Sequence, residues 1–360
     1  MTIKPSLNWL LAFVPVTLGL EAAHAAAPLV FFAAALAIVP AASLIVHATE
    51  QIAKRTGDAI GGLLNATFGN APELIIAVVA LRAGLLDMVR ASIIGAILAN
   101  LLLALGASLL VGGLRFRDPE YNAGAARVYG SMMLVAVISL IVPSAFGRFF
   151  SLEEHLPQVR SLNSWLAVLL LAAYALYLLF QIRTHPHLFK SKEAGHEEGH
   201  GPAWGMPRAI GSLVGASALA AWMSEILVGA AEGTGQALGM TQDFIGLVIV
   251  AVVGGAAESL SAVSAARKGK LDLTMGIVYG SCIQIALFVG PVLVLLSKVA
   301  APQPLDLTFD RAELGALFLA VLIGVVVSGD GKGNWFKGAQ LLAVYAVIAM
   351  MFYFVPDIAR

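Results

Sequence analysis

Long apolar runs, each near the length of a membrane span, alternate with short polar or turn-rich breaks along almost the whole chain. Eleven such runs lie near 8–25, 28–53, 58–82, 88–113, 124–147, 162–183, 208–232, 242–266, 272–298, 312–328 and 335–356. A run of roughly 20 mostly apolar residues suits a helix crossing a bilayer. No segment keeps the strict apolar/polar alternation of a membrane barrel strand. The expected fold is therefore all-α and integral to a membrane, with about 11 transmembrane helices. The first run, with Lys4 before it and the Ala-rich stretch from Ala22 to Pro28 after it, also has the layout of a cleavable signal peptide.

Composition supports the membrane reading. The 360 residues are 59% hydrophobic and 12% charged, with a mean hydropathy of +0.87. Soluble domains carry about twice that share of charge. The net charge of zero gives no sign of a nucleic-acid partner. The single cysteine, Cys282, excludes an internal disulfide and a thiolate metal cage. With eleven spans, fifteen of the 22 Lys and Arg residues fall on one side, among them Lys54, Arg55, Arg115, Arg117, Arg267 and Lys332. Positive charge favours the cytoplasmic side. The N-terminus is thus expected in the cytoplasm and the C-terminus across the membrane, in the cell (inner) membrane.

The chain repeats itself at an offset of 185 residues. Thr49 and Gln51 meet Thr234 and Gln236; Asp58, Ile60 and Gly61 meet Asp243, Ile245 and Gly246. FGNAPE, ending at Glu73, meets VGGAAE, ending at Glu258. Arg82, Gly84 and Asp87 meet Arg267, Gly269 and Asp272, and Gly95 meets Gly280. These matched residues are mostly Gly, Asp, Glu and Arg, which shared hydrophobicity does not explain. Five spans separate matching runs, so the halves would enter the membrane in opposite directions, as in many secondary transporters. The expected organisation is an extra helix over 1–27, a first five-helix repeat over 28–183, a polar cytoplasmic linker over 184–207 and a second repeat over 208–360.

Glu73 and Glu258 fall near mid-membrane, where a charge costs about 2.5–3.5 kcal/mol on insertion scales and usually marks function. Each follows a helix-disrupting signal. Gly69, Asn70 and Pro72 precede the first; Gly254 and Gly255 precede the second. Proline frees a backbone carbonyl, here that of Phe68. Freed carbonyls at that depth are tolerated where they line a cavity. Asn100, Ser281 and Gln284 add amide and hydroxyl oxygens. The donor set is all oxygen, which suits a hard cation such as Ca²⁺ with its roughly 6–8 oxygen ligands. Zinc and copper prefer His and Cys. Desolvation disfavours a charged carboxylate. Glu73 and Glu258 would therefore hold protons when empty and Ca²⁺ when loaded, which is competition suited to exchange.

GNAPELI around Glu73, GGAAES around Glu258, GSxxQIALF from Gly280 and DGxxNWxxGA from Asp330 resemble the calcium/proton exchanger family of the cation/calcium exchanger superfamily. The resemblance runs along nearly the whole chain. It implies a ten-helix inverted-repeat core with one extra N-terminal helix. It also implies proton-driven export of Ca²⁺, with the two motif glutamates binding ion and proton in turn and Asn70 matching a motif position. The second motif departs from the family pattern, which has Asn and His where this chain has Gly255 and Ser259. That departure bears on Ca²⁺ against Mn²⁺ preference.

The expected partners are Ca²⁺, H⁺ and the lipid bilayer, with no nucleic acid and an oligomer left open. The expected cofactors are none, Ca²⁺ being the transported substrate. A Mn²⁺/H⁺ or Na⁺/Ca²⁺ exchanger is the nearest other function, and a passive cation channel a more distant one. HExxH and GxSxG are absent, which argues against an intramembrane enzyme. Gly57/Gly61 and Gly276/Gly280 have the spacing of close helix packing. Asp58 and Asp243 are placed to cap helices, and Arg82 and Arg267 to anchor helix ends. His185, His187, His196 and His200 read as a solvated linker. Glu50, Glu225 and Glu232 read equally as an approach path for cations or as solvated helix ends.

Overall fold

A computed structural model describes residues 7–56, 58–149, 152–189 and 204–354. It is built of helices: α1 Leu7–Ala22, α2 Ala27–Thr56, α3 Asp58–Phe68, α4 Ala71–Arg82, α5 Leu86–Phe116, α6 Ala123–Phe149 and α7 Leu152–Leu179 in the first part. After the linker come α8 Met206–Leu238, α9 Gln242–Gly254, α10 Ala256–Arg267, α11 Leu271–Ala300, α12 Arg311–Ser328 and α13 Trp335–Phe354.

Among the described residues, eight helices are long and apolar enough to cross a membrane, and the bent pair α9–α10 makes a ninth. The expected eleven runs resolve unevenly. The run at 58–82 is two helices broken after Phe68, and that at 242–266 is two helices meeting at 55°. The run at 162–183 lies within a helix that starts at Leu152 and tightens into a π segment, Phe180–Thr184. The first run forms only the shorter α1.

Close packing by small residues holds the bundle. Along their length α2 and α8 pack together, burying Ala34, Ala37, Ala41 and Ala48 of one and Ala216, Ala220 and Ala231 of the other. Small side chains let backbones approach, which is how helices associate where lipid offers no hydrophobic drive. The tightest approaches are Gly95 to the Leu247 backbone and Gly246 to the Met88 backbone. These glycines join the start of α5 to α9, across the two halves.

The 185-residue offset reappears in the helix bounds. Ala71 and Arg82 bound α4; Ala256 and Arg267, each 185 residues on, bound α10. Leu86 and Leu271 open α5 and α11 at the same offset. Gly84 and Gly269 turn the chain between them with φ of 79° and 80°, a region glycine enters without steric cost. A π segment interrupts each long helix, at Ala99–Ala104 in α5 and Ile285–Val289 in α11.

Several expectations change. Thr241, not Asp243, caps α9, its Oγ1 accepting from Phe244 N at 3.0 Å. The Asp58 side chain, Gly57, His196 and His200 lie outside the described residues. Gly276 and Gly280 are not a packing seam: a methyl on Gly280 would meet nothing within 4 Å, and both line a cavity. Gly61 does pack closely, against the Ala53 carbonyl of α2.

Candidate cation site between two broken helices

Two helix breaks meet in the middle of the bundle. Phe68 ends α3, and α4 restarts from Asn70, whose carbonyl accepts from Leu74 N at 3.1 Å. Pro72 suits this restart, since the N–H it lacks would have no partner in a first turn. In the second break Gly254 ends α9 and Gly255 precedes α10. Glu73 and Glu258 stand in the first turns of α4 and α10, the helix ends whose free N–H groups favour an anion.

The breaks interlock. A methyl group on Gly254 would lie 3.0 Å from Glu73 Cγ, and one on Gly255 would lie 3.6 Å from Glu73 Oε1. In the opposite sense, a methyl on Gly69 would lie 3.2 Å from Gln284 Oε1 and 3.7 Å from Glu258 Oε1. The glycines of each break thus make room for the carboxylate of the other.

A polar chain surrounds them. Asn100 Nδ2 donates to Ser281 Oγ at 3.1 Å, and Ser281 Oγ donates to Asn70 Oδ1 at 2.7 Å. Ser281 also hydrogen-bonds the Glu258 carboxyl. Gln284 Nε2 reaches the Thr67 carbonyl at 3.2 Å, so the accepting carbonyl lies one residue before the Phe68 expected from Pro72. Asn70 Nδ2, Glu258 Oε2 and both Glu73 carboxylate oxygens are buried with no hydrogen-bond partner among the described residues. Buried polar atoms are normally paired. Oxygens left this way in one place suit a site built for a charged guest.

A cavity of about 550 Å³ leads from this point to the side of the linker. Glu258, Ser281, Gln284 and Gly69 form its floor; Glu50 of α2, Tyr174 and Tyr177 of α7, Gln181 and Phe189 form its walls. Glu73 does not line it. On the opposite side the stretch 301–310 folds inward, burying Leu305, Leu307 and Phe309. Hydrogen bonds from Leu307 N to Asn163 Oδ1 and from Phe309 N to Ser144 Oγ, both 2.9 Å, fix it. Arg90 clasps Asp306 at 3.0 Å on that side.

All nine residues expected at the site, Gly69, Asn70, Glu73, Asn100, Gly254, Gly255, Glu258, Ser281 and Gln284, lie in this interlock or its polar chain. Tyr174, Tyr177 and Gln181 were not anticipated. In an apolar run nothing in the sequence distinguishes a wall of polar tips from a lipid-facing or packed face. Of the three acids read as path or solvated end, only Glu50 lines the cavity; Glu232 instead accepts from Gln236 Nε2 at 3.3 Å. Cys282 is buried, its Sγ 3.8 Å from the Ile97 carbonyl, away from any thiolate partner.

A profile of the family described as sodium/calcium exchanger protein matches residues 26–183 and 208–354. The chain belongs to that family. Within it the chain falls among the Ca²⁺/H⁺ antiporters. It is 40% identical over 361 residues to the Ca²⁺/H⁺ antiporter of Aphanothece halophytica, covering 96% of both chains. It is 38% identical to the Ca²⁺/H⁺ antiporter ChaA of Bacillus subtilis, covering 95% of this chain and 97% of that one. The solved structure of native YfkE superposes with a TM-score of 0.83 at 35% identity, over 97% of this chain and 100% of that one. The H⁺/Ca²⁺ exchanger CAX, at 15% identity and a TM-score of 0.70 over 96% and 91%, shares the fold. The exchanger-family chain is a transporter rather than an enzyme.

Proposed function

We propose that this protein exchanges Ca²⁺ for protons by alternating access, with Glu73 and Glu258 as the shared seat of ion and proton. The observation that carries it is the interlock: two carboxylates, one from each helix break, with three of their four oxygens buried and unpartnered. A divalent cation would satisfy them, and protons would replace it when it leaves. Asn70, Asn100, Ser281 and Gln284 supply or orient neutral oxygens around the pair. The names of the relatives, Ca²⁺/H⁺ antiporters in a cyanobacterium and a bacillus, favour this reading.

In this reading the chain has eleven spans, with α1 as the extra helix and two inverted five-helix repeats joined by the linker at 184–207. Helix bounds that recur at 185 residues support the repeat. The surplus of Lys and Arg on the linker side supports a cytoplasmic linker and N-terminus in the cell membrane. The cavity opens on that side and the stretch 301–310 closes the other, so the conformation is inward-facing. Gly255 in the second motif makes a Mn²⁺/H⁺ exchanger the next reading, because no amide oxygen arises there.

The test is ⁴⁵Ca²⁺ uptake into proteoliposomes with an acidic lumen. Uptake should need the pH gradient, should run against a Ca²⁺ gradient, and should fall at least about 100-fold in Glu73→Gln and Glu258→Gln, as loss of one partner of a buried charged site does. Uptake that only follows the Ca²⁺ gradient would mean a channel. Uptake that follows internal Na⁺ would mean the sodium-coupled branch.

A further inference from the structure

The cavity has a charged residue at each end and both are acids. Glu258 is at the floor, 9% exposed; Glu50, near the C-terminal end of α2, has a side chain 51% exposed and stands at the mouth. No Lys or Arg is among the lining residues, although Lys54 and Arg55 follow Glu50 by one turn and Arg183 follows Gln181. The nearest cation to Glu50 is the His47 ring, with Nδ1 at 3.9 Å from Oε2, and that ring is itself packed edge-on against Trp204. Between the two acids the polar lining is neutral: Asn65, Tyr174, Tyr177, Gln181 and Ser261. A cleft with low-dielectric walls and one sign of charge focuses field and raises the local concentration of the opposite ion.

We infer that Glu50 steers divalent cations from the linker side into the cavity that ends at Glu258. It sets how readily they arrive, and the exchange step itself belongs to the deeper pair. This rests on the proposed cation exchange and adds a residue outside the site. Glu50 acts through its field, so its effect scales with ion charge and fades with salt. A single carboxylate several ångströms from a Ca²⁺ path in water is worth a factor of roughly 3–10 in local ion concentration.

The experiment measures initial ⁴⁵Ca²⁺ uptake against external Ca²⁺ in acid-loaded proteoliposomes captured linker side outward. Wild type, Glu50→Gln, Glu50→Asp and Glu50→Lys are compared in about 0.01 M and about 0.5 M choline chloride, over which the Debye length falls from about 30 Å to a few ångströms. At low salt Glu50→Gln should raise KM about 3–10-fold and Glu50→Lys further, with the maximal rate within twofold of wild type and Glu50→Asp near normal. At high salt the KM values should converge. A Glu50→Gln defect confined to the maximal rate, or one that salt leaves intact, overturns the inference. So does a wild-type KM in Glu50→Gln while wild type transports normally. A wild type that moves no Ca²⁺ in any gradient overturns the exchange reading first, and this inference with it.

Discussion

Glu73 and Glu258 occupy matching places in the two halves, yet their surroundings differ. Glu258 borders an open cavity and is hydrogen-bonded by Ser281. Glu73 lies off the cavity, its oxygens without partners, boxed in by Gly254 and Gly255 of the other half. The backbone that carries them does not differ in kind, since α4 and α10 share length and the same turn. The asymmetry therefore belongs to conformation and to the few substituted side chains. In an alternating-access cycle, one acid meets the open side while the other waits behind a closed one. The inward cavity beside Glu258 and the clasped stretch 301–310 across the membrane fit one such half-cycle.

The sharpest way to break this comparison is to crowd one acid and spare the other. Alanine at Gly254 would bring a methyl within 3.0 Å of Glu73 Cγ, while alanine at Gly280 enters open space near Ser281 on the Glu258 side. Overpacking a close site costs about 1–3 kcal/mol. Gly254→Ala should lower ⁴⁵Ca²⁺ uptake at limiting Ca²⁺ by about tenfold or more, and Gly280→Ala by less than about twofold. Equal losses would mean that the glycine at 254 serves the helix break alone.

A smaller contrast is expected in reactivity. A water-soluble carbodiimide with an amine nucleophile should modify Glu258 through the cavity at least about fivefold faster than Glu73, by peptide mass spectrometry. That factor corresponds to roughly 1 kcal/mol of accessibility difference. Ca²⁺ should protect Glu258. If Glu73 reacts as fast, the closed surroundings of the first motif do not persist in the membrane, and the two acids are exposed alike.

The pair was legible in the sequence because the repeat made it so: a mid-run carboxylate is ambiguous alone, but Glu73 and Glu258 at one offset are not. Asn70 and the double Gly254–Gly255 were legible as helix breakers for a backbone reason. The Gly276/Gly280 spacing misled, because a small-residue spacing specifies a groove but not whether a helix or a cavity fills it. The wall of Tyr174, Tyr177 and Gln181 depends on how α7 is rotated against α11, which apolar runs in lipid leave unspecified. Exact spans were obscured for a related reason: a broken helix stays apolar throughout, so α3 and α4 read as one run.

The smallest effect serves as a control, remote from both carboxylates. The loop between α12 and α13 meets the loop after α5 through Tyr121 N to the Gly331 carbonyl, 2.9 Å, and Gly333 N to the Pro119 carbonyl, 2.8 Å. Within it Asp330 holds Lys337 Nζ at 2.6 Å through both oxygens. Partial desolvation pushes the Asp330 carboxyl up, but the Lys337 ammonium and the Lys332 N–H outweigh it and leave it below the usual aspartate range. A carboxyl held low in the folded state stabilises at pH above its unfolded value and loses that contribution as pH falls through the folded one. Asp330 is more than half exposed, so the pair is worth about 0.5 kcal/mol at most. Asp330→Asn should lower Tm in detergent by about 1–2 °C at pH 7, and the difference from wild type should close on acidification below about pH 4. The Gly254→Ala to Gly280→Ala ratio should be unchanged in that background, because distant sites add independently. A ratio that collapses with Asp330 altered would place the asymmetry of the two acids under control of this surface loop rather than of the glycines beside them.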